Sequence, residues 1–240
     1  MESPLKKSVT DRLKSLGVGK GIPPLSKPKP DSHSIDSVVA GSFLPTPFGE
    51  VFASEQKYPK DHIYGEAPLV SAFPLSFISQ WANDPAIEKI HLSKFAFLDT
   101  ETSGLSGGTG TYAFLVGIAR FMDDGTFVLR QFFMRDPAEE PALLEGIAKF
   151  IAPCESLVTF NGKSFDAPLL STRYRLHQIP IPYKDYSHLD LLPLARRLWR
   201  DRLESRALKY LEEHVLGLKR SSEEVPGYEI PWLYFDYLRT

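Results

Sequence analysis

Residues 94–121 read KFAFLDTETSGLSGGTGTYAFLVGIARF. An apolar run ends in two carboxylates, Asp99 and Glu101, and a glycine-rich turn separates it from a second apolar run. Two apolar runs joined by small residues predict two neighbouring antiparallel strands. Because side chains alternate along a strand, the two acids leave the same face. Their like charges repel there unless a cation lies between them or one carboxyl takes up a proton.

The pattern on both sides of this stretch predicts an α/β fold. Apolar runs and turn residues give the order β-β-β-α-β-α-β-α-α, with the turn MDDGT joining the second and third strands. Three antiparallel strands followed by βαβαβ units predict a mixed five-stranded sheet with helices on both faces. The predicted strands are residues 94–102, 111–121, 126–134, 156–162 and 187–192. The predicted helices are residues 137–154, 164–176, 193–201 and 205–217.

The chain divides by composition into three parts. Residues 1–40 are rich in Lys, Arg and Pro, so we expect a flexible basic arm. Residues 41–93 carry scattered aromatic side chains without a long period, and we expect them to pack on the main domain as hairpin and loop. Residues 94–240 form the predicted main domain.

Composition excludes several classes of protein. The formal net charge of −2 gives no chain-wide electrostatic bias toward nucleic acid or membrane. The single cysteine, Cys154, excludes an intrachain disulfide, and no Cys/His spacing indicates a zinc site. No apolar run approaches the roughly 20 residues of a membrane helix, and no secretory signal is visible. We therefore expect a cytoplasmic protein without a membrane partner.

A second motif changes the interpretation of the acids. Taken alone, DTE is better explained by acids on a solvated strand end. The run SLVTFNGKSFDAPLL, however, places Asn161 after another apolar strand and Asp166 at the start of the next helix. If the first and fourth strands are neighbours, Asp166 approaches Asp99 and Glu101, and three carboxylates form a candidate two-metal site. Asp166 as a helix cap and Asn161 as a turn former remain the structural alternatives.

Both motifs resemble a known family. FLDTETSGL is similar to the first motif of the DEDD exonucleases of the RNase H-like superfamily, and TFNGKSFDAPLL resembles their second motif. The longer runs SGLSGGTGTYAFLVGIA and LGLKRSSEEVPGYEIPWLYFDYLR resemble the YprB-like ribonuclease H-like group within it. The resemblance covers about residues 55–240.

The resemblance implies a function. It implies a 3′–5′ exonuclease that hydrolyses phosphodiester bonds at the single-stranded 3′ end of a nucleic acid, RNA or DNA. It assigns Asp99, Glu101 and Asp166 as catalytic residues that hold two divalent ions, Mg²⁺ or Mn²⁺. It identifies no protein partner.

Residues around the two motifs are expected to bind the substrate. The small residues of the glycine-rich turn allow a nucleotide to come close, although a plain hairpin loop explains them equally well. Lys163 and Arg173 flank the second motif and are the cations we expect to contact phosphate. The expected substrate-binding residues are Thr102, Gly104, Leu105, Thr109, Asn161, Lys163, Ser164, Phe165 and Arg173. For Asp190, at the fifth strand, we expect hydrogen bonding near the site or to the following helix.

One part of the family pattern is missing from this sequence. DEDD enzymes carry a fourth acid in a third motif, which the resemblance places just after Thr240. We therefore expect either a C-terminally truncated domain or a protein without that ligand, which would then act as a nucleic-acid-binding or scaffold domain with impaired catalysis. A sugar-kinase or actin type of phosphotransferase is disfavoured, because such chains need a second, duplicated domain.

Overall fold

The computed structural model describes residues 34–70, 74–104, 110–218 and 224–239. The chain forms two units, residues 1–38 and residues 39–240. In the first unit the described structure is a short helix, α1 (Ile35–Val38). None of the helices in the described ranges has the length and apolar character needed to cross a membrane.

A mixed sheet forms the centre of the second unit. Its strand order is β1-β2-β7-β6-β5-β8-β9, and a separate two-stranded sheet pairs β3 with β4. The strands are β1 (Ser42–Thr46), β2 (Gly49–Tyr58), β3 (Ile63–Tyr64), β4 (Ala67–Pro68), β5 (Phe95–Thr102), β6 (Ala113–Phe121), β7 (Phe127–Phe133), β8 (Ser156–Thr159) and β9 (Ser187–Asp190). Strands β5, β6 and β7 are antiparallel, whereas β8 pairs in parallel with both β5 and β9. The predicted mixed α/β sheet is confirmed.

Helices cover both faces of this sheet, as the sequence predicts. Alternate residues of β5 belong to two cores: Ala96 and Leu98 lie in the larger one, and Phe95 lies in the smaller one with Leu194. Helices α3, α4 and α7 contribute to the larger core, and α2 and α5 to the smaller. The helices are α2 (Leu75–Ala82), α3 (Glu140–Ile151), α4 (Asp166–Leu176), α5 (Leu191–Leu198), α6 (Leu208–Val215) and α7 (Ile230–Arg239).

The sheet has seven strands in the described residues, not the five that we predicted. The additional strands, β1 and β2, form a hairpin that pairs with the edge of β7. Strand β2 buries three consecutive residues, Val51 to Ala53, rather than every second residue. A strand that is covered on both faces lacks the two-residue period, and residues 42–58 therefore gave no clear strand signal.

The C-terminal helices also differ from the prediction. Helix α6 begins at Leu208, not at residue 205; its Leu211 is buried, whereas Leu208 and Val215 are exposed. Helix α7 was not predicted, although the residues that it turns to the core, Ile230, Tyr234, Tyr237 and Leu238, have helical spacing. Tyr234 of α7 stacks on Phe114 of β6, with ring centroids 4.0 Å apart and an interplanar angle of 3°.

Close packing of α3 on the sheet gives a first prediction. A Cβ atom at Gly146 would stand 2.9 Å from Cγ1 of Val51 and 3.1 Å from Cε1 of Phe132. Overpacking a core costs about 1–3 kcal/mol, whereas alanine in place of glycine favours a helix by about 1 kcal/mol. We expect Gly146→Ala to lower the free energy of unfolding by about 1 kcal/mol, measured by urea denaturation.

The matched control is Gly227→Ala, because a Cβ atom there meets no neighbour within 4 Å. We expect its effect to stay below about 0.5 kcal/mol. A more stable Gly146→Ala variant would show that the helix does not pack this closely on β2.

Candidate active site

Strand β5 carries Asp99 and Glu101 at its carboxyl end. Asp99 lies opposite Gly117 of β6, and the register stays regular as far as Glu101, after which it shifts. On its other side β5 pairs with β8 only from Phe95 to Phe97. The end of β5 is therefore open on the β8 side, where the loop that follows β8 leads to Asp166.

Asp166 is the first residue of α4 and faces β5. Its Oδ1 accepts a hydrogen bond from the hydroxyl of Thr100. The N-cap of the helix is Phe165, and no side chain caps it. The alternative role of Asp166 as a helix cap is therefore wrong, because the carboxylate is turned toward the strand that carries the other two acids.

Loss of water, followed by nearby negative charge, raises the pKa of each of the three carboxyl groups. For Asp99, loss of water is the largest cause of the raised pKa and the charge of Asp166 is the next. Asp99 keeps access to solvent, so the surrounding protein removes only part of its water. Desolvation raises the pKa of Glu101 first, and the charges of Asp99 and Asp166 raise it further. Desolvation also raises the pKa of Asp166, against the hydrogen bond from Thr100, which lowers it.

This chemistry fits a divalent cation, but the present arrangement is not a closed metal site. Carboxylate oxygens are the ligands that Mg²⁺ and Mn²⁺ prefer, and a cation would relieve the mutual repulsion. Within the described ranges, however, no group of three His, Cys, Asp or Glu side chains is arranged to hold an ion. The bond from Thr100 holds one oxygen of Asp166, so this side chain would have to turn for all three carboxylates to converge.

Asp190 braces the loop between β8 and α4. Its buried carboxylate accepts hydrogen bonds from the backbone N–H groups of Asn161 (2.7 Å), Lys163 (3.0 Å) and Leu192 (3.0 Å). Asn161 has a positive φ of 70°. The expectation that Asp190 hydrogen-bonds near the site and to the following helix is confirmed.

The structure places most of the expected substrate-binding residues around these acids. Thr102 ends β5, and its hydroxyl donates to the carbonyl of Gly104 at 3.0 Å. Lys163, Ser164 and Phe165 are exposed on the braced loop, and Phe165 keeps 61% of its surface accessible. The expected residues Leu105 and Thr109 lie outside the described residues. The substrate-binding roles stay predictions.

Arg173 lies further along α4 and has a structural partner. Its Nε donates to Oε1 of Glu140 at 2.6 Å, and its Nη2 contacts the other carboxylate oxygen of Glu140. His177 Nε2 lies 2.6 Å from the same carboxylate. Glu140 is buried at the start of α3, so this cluster joins α3 to the helix that carries Asp166. The predicted contact of Arg173 with phosphate stays a prediction, and the ion pair gives the residue a second role.

The sequence did not lead us to predict the roles of two residues, Thr100 and Glu140. Thr100 lies between the two acids of the first motif, and strand alternation turns it to the face of α4. Glu140 sits in the acidic start of a helix, where carboxylates are common on the surface. A buried partner on α4 cannot be inferred from that position alone.

Comparison with known proteins gives one family match and one curated relative. A family model described as the RNase_H superfamily matches residues 96–240. The uncharacterized protein YprB of Bacillus subtilis (strain 168) is 35% identical over 189 residues, which make up 77% of this chain and 45% of that protein. The chain therefore spans less than half the length of this relative.

Solved structures show only a distant likeness. The zinc-bound complex of E. coli ExoI with ssDNA matches with a TM-score of 0.44 and 18% identity, over 60% of this chain and 42% of that one. The family B DNA polymerase of the hyperthermophilic archaeon Pyrobaculum calidifontis matches with a TM-score of 0.46 and 15% identity, over 60% and 22%. Likenesses at this level carry no weight for the chemistry of the site.

The raised pKa values predict a stability effect. A carboxyl whose pKa is raised on folding binds its proton more tightly in the native state, so ionisation destabilises the fold above that pKa. In EDTA at pH 7, we expect Asp99→Asn to raise the Tm. In a domain of this size, each kcal/mol gained in the free energy of unfolding raises the Tm by roughly 2–4 °C. The gain should disappear as the pH is lowered through the raised pKa, because the wild-type carboxyl is then neutral as well.

The control for this effect is Asp123→Asn. Asp123 lies in the turn between β6 and β7, six residues along the chain from Gly117, which pairs with Asp99. Its substitution should leave the Tm within about 1 °C of the wild type. A lower Tm for Asp99→Asn at pH 7 would contradict the mutual repulsion.

The brace at Asp190 predicts a local effect. Asparagine keeps the shape but turns an N–H group toward a backbone donor, so at least one amide loses its acceptor. We expect Asp190→Asn to cost about 1–3 kcal/mol of unfolding free energy and to speed hydrogen exchange at the amides of Asn161 and Lys163. The exposed Asp136, which accepts one backbone N–H from Ala138 at 2.8 Å, gives the matched control Asp136→Asn. Unchanged exchange at both loop amides would show that Asp190 does not hold the loop.

Proposed function

Because this chain belongs to the RNase H superfamily, we propose that it is a metal-dependent nuclease whose site is built on Asp99, Glu101 and Asp166. We further propose that it removes nucleotides from the 3′ end of single-stranded nucleic acid with two divalent ions, Mg²⁺ or Mn²⁺. One observation supports the proposal most strongly: at the open end of β5, desolvation raises the pKa of all three carboxyl groups, and the charge of Asp166 adds to the rise for Asp99 and Glu101. A site that holds unfavourable like charges in partial isolation from water is typical of a functional site.

The three acids are the proposed ligands. Asp99 and Glu101 share one face of β5, and Asp166 enters from α4, so two rigid elements present the oxygens. When bound, divalent ions would activate a water molecule and neutralise charge on the phosphodiester. The hydroxyl of Thr100 holds the carboxylate of Asp166 against β5, and Asp166 would have to release or share this bond to act as a ligand.

We propose that residues of the loop between β8 and α4 position the nucleic-acid strand. Phe165 is exposed directly before Asp166 and presents a ring on which a base can stack. Lys163 is exposed two residues earlier and offers a charge for a phosphate. Asp190 holds the backbone between β8 and α4, from which the side chains of Lys163 and Phe165 extend.

The direction of cleavage and the preference for single strands follow from the resemblance of the two motifs to DEDD exonucleases. The chain spans 45% of the length of its curated relative. The activity of the whole protein, including any contribution from other segments, is therefore part of the proposal.

The test uses oligonucleotides of DNA and RNA that carry a 5′ fluorophore. With Mg²⁺ or Mn²⁺ we expect shortening from the 3′ end, and with EDTA none. A 3′-terminal block should stop a 3′–5′ exonuclease but not an endonuclease. Asp99→Ala should reduce the rate by at least ~100-fold, since loss of even an outer partner of a metal ligand typically costs about 10–100-fold.

Asp123→Asn is the matched control and should cleave like the wild type. Binding of the oligonucleotide without shortening, at every concentration of both ions, would contradict the nuclease and favour the nucleic-acid-binding alternative. Shortening that persists in EDTA would contradict the dependence on metal.

A further inference from the structure

A second polar pocket lies away from the three carboxylates. It has a volume of about 410 Å³ and opens between β2, β6, β7 and the last turn of α3. Arg120 lies opposite Ala96, and so on the face of the larger core, whereas Asp99 is three residues further along β5 and on the other face. The sheet therefore separates the pocket from Asp99 and Glu101. Asp166 bonds Thr100, which lies four positions from Ala96 on the same face of β5 as the pocket. Its lining includes Glu55, Lys57, Arg120, Arg130, Lys149 and Phe150.

Positive charge predominates in this pocket. Its lining contains four cations and two acids, Glu55 and Asp124. Glu55 already pairs with two of the cations: Nε of Arg130 donates to it at 3.0 Å, and Nζ of Lys57 lies 3.3 Å away. Asp124 is exposed, and its carboxylate accepts the backbone N–H of Thr126 at 2.9 Å.

The other two cations lack a carboxylate partner among the residues that the structure describes. Lys149 Nζ makes a 3.3 Å hydrogen bond to the backbone carbonyl of Pro45. The guanidinium of Arg120 lies 5.2 Å from the centre of the Phe150 ring. Its Nε atom is buried and has no hydrogen-bond acceptor in the described part of the chain. A buried donor without an acceptor is unfavourable, and a small shift of the guanidinium toward an anion in the pocket would give it one.

We propose that this pocket binds a phosphate group, with Arg120 as the central ligand and Lys149 at the rim. A phosphate offers several acceptor oxygens to the fork of N–H donors on an arginine. The aromatic ring in the pocket is not available to a base, because Phe150 is buried and Arg130 also lies over it at 4.4 Å. The pocket thus selects the phosphate and not the base that accompanies it.

The phosphate has two possible sources. One is a phosphodiester in a nucleic-acid strand that continues around the domain from the proposed active site. The other is a free phosphate monoester, such as inorganic phosphate or a nucleoside 5′-monophosphate. The phosphodiester and the monoester would accept hydrogen bonds from the same donors of Arg120 and Lys149. They differ in the length and the end groups of the ligand, so different ligands can distinguish them.

The test is thermal unfolding with inorganic phosphate as the probe. EDTA is present throughout, so that metal bound to the carboxylates does not contribute, and KCl holds the ionic strength constant. At about ten times the Kd, binding to the native state should raise the Tm by roughly 3–6 °C. We expect this rise in the wild type and its loss in Arg120→Gln.

Two variants make the result specific. Arg239→Gln removes an exposed arginine that pairs with Asp236 and should keep the full rise. Lys149→Gln should reduce the rise, and it decides the question if Arg120→Gln does not fold. An equal rise in Arg120→Gln, an equal rise in Lys149→Gln, or no rise above the KCl control would overturn the proposal.

The same assay separates the two sources. An oligonucleotide without terminal phosphates, tested with wild type and Arg120→Gln, reports phosphodiester binding in this pocket. Adenosine 5′-monophosphate reports a free monoester. An effect that depends on Arg120 with either ligand supports the phosphate site and identifies its source. The assay needs no cleavage, so failure of the nuclease proposal and failure of this one are distinguishable.

Discussion

The parallel pairing of β5 with β8 determines where the acids meet. Only three residue pairs form this contact, from Phe95–Ser156 to Phe97–Val158. Both strands are largely buried between two cores, so a slip of one residue would exchange the side chains that pack in each core. Because the pairing stops at Phe97, the end of β5 remains open beside the loop that leads into α4. The candidate site lies where β5 and β8 stop pairing and diverge.

The carboxylates of the candidate site lower the stability of the fold. Three carboxylates in partial isolation from water destabilise the metal-free fold, and the surrounding structure compensates through bonds to each element that carries them. Thr100 links β5 to Asp166, Asp190 fixes the loop before α4, and Glu140 ties α4 to α3. Carboxyl groups with a pKa raised by burial and by neighbouring charge cluster at functional sites.

The sequence predicted the elements that have a clear period and the acids that end them. Strands β5 to β9 and helices α3 to α5 were predicted because apolar spacing and turn residues agree along those segments. A hairpin was expected within residues 41–93, but the strands β1 and β2 were not located, because neither shows alternating burial. Helix α7 was missed because the exposed apolar residues Trp232 and Leu233 obscure the helical spacing of the residues that face the core. The bond between Thr100 and Asp166 depends on the contact of two elements 66 residues apart, which no local pattern encodes.

The central claim is that Asp99, Glu101 and Asp166 together hold divalent cations. A crystal structure grown with Mn²⁺ and a non-hydrolysable oligonucleotide tests it most directly, because the anomalous signal of manganese marks the ion independently of the chain. We predict a peak in contact with Asp99 and Glu101, with Asp166 turned away from Thr100 toward the ion. Empty density among the three acids at millimolar Mn²⁺, with the oligonucleotide bound, would contradict it.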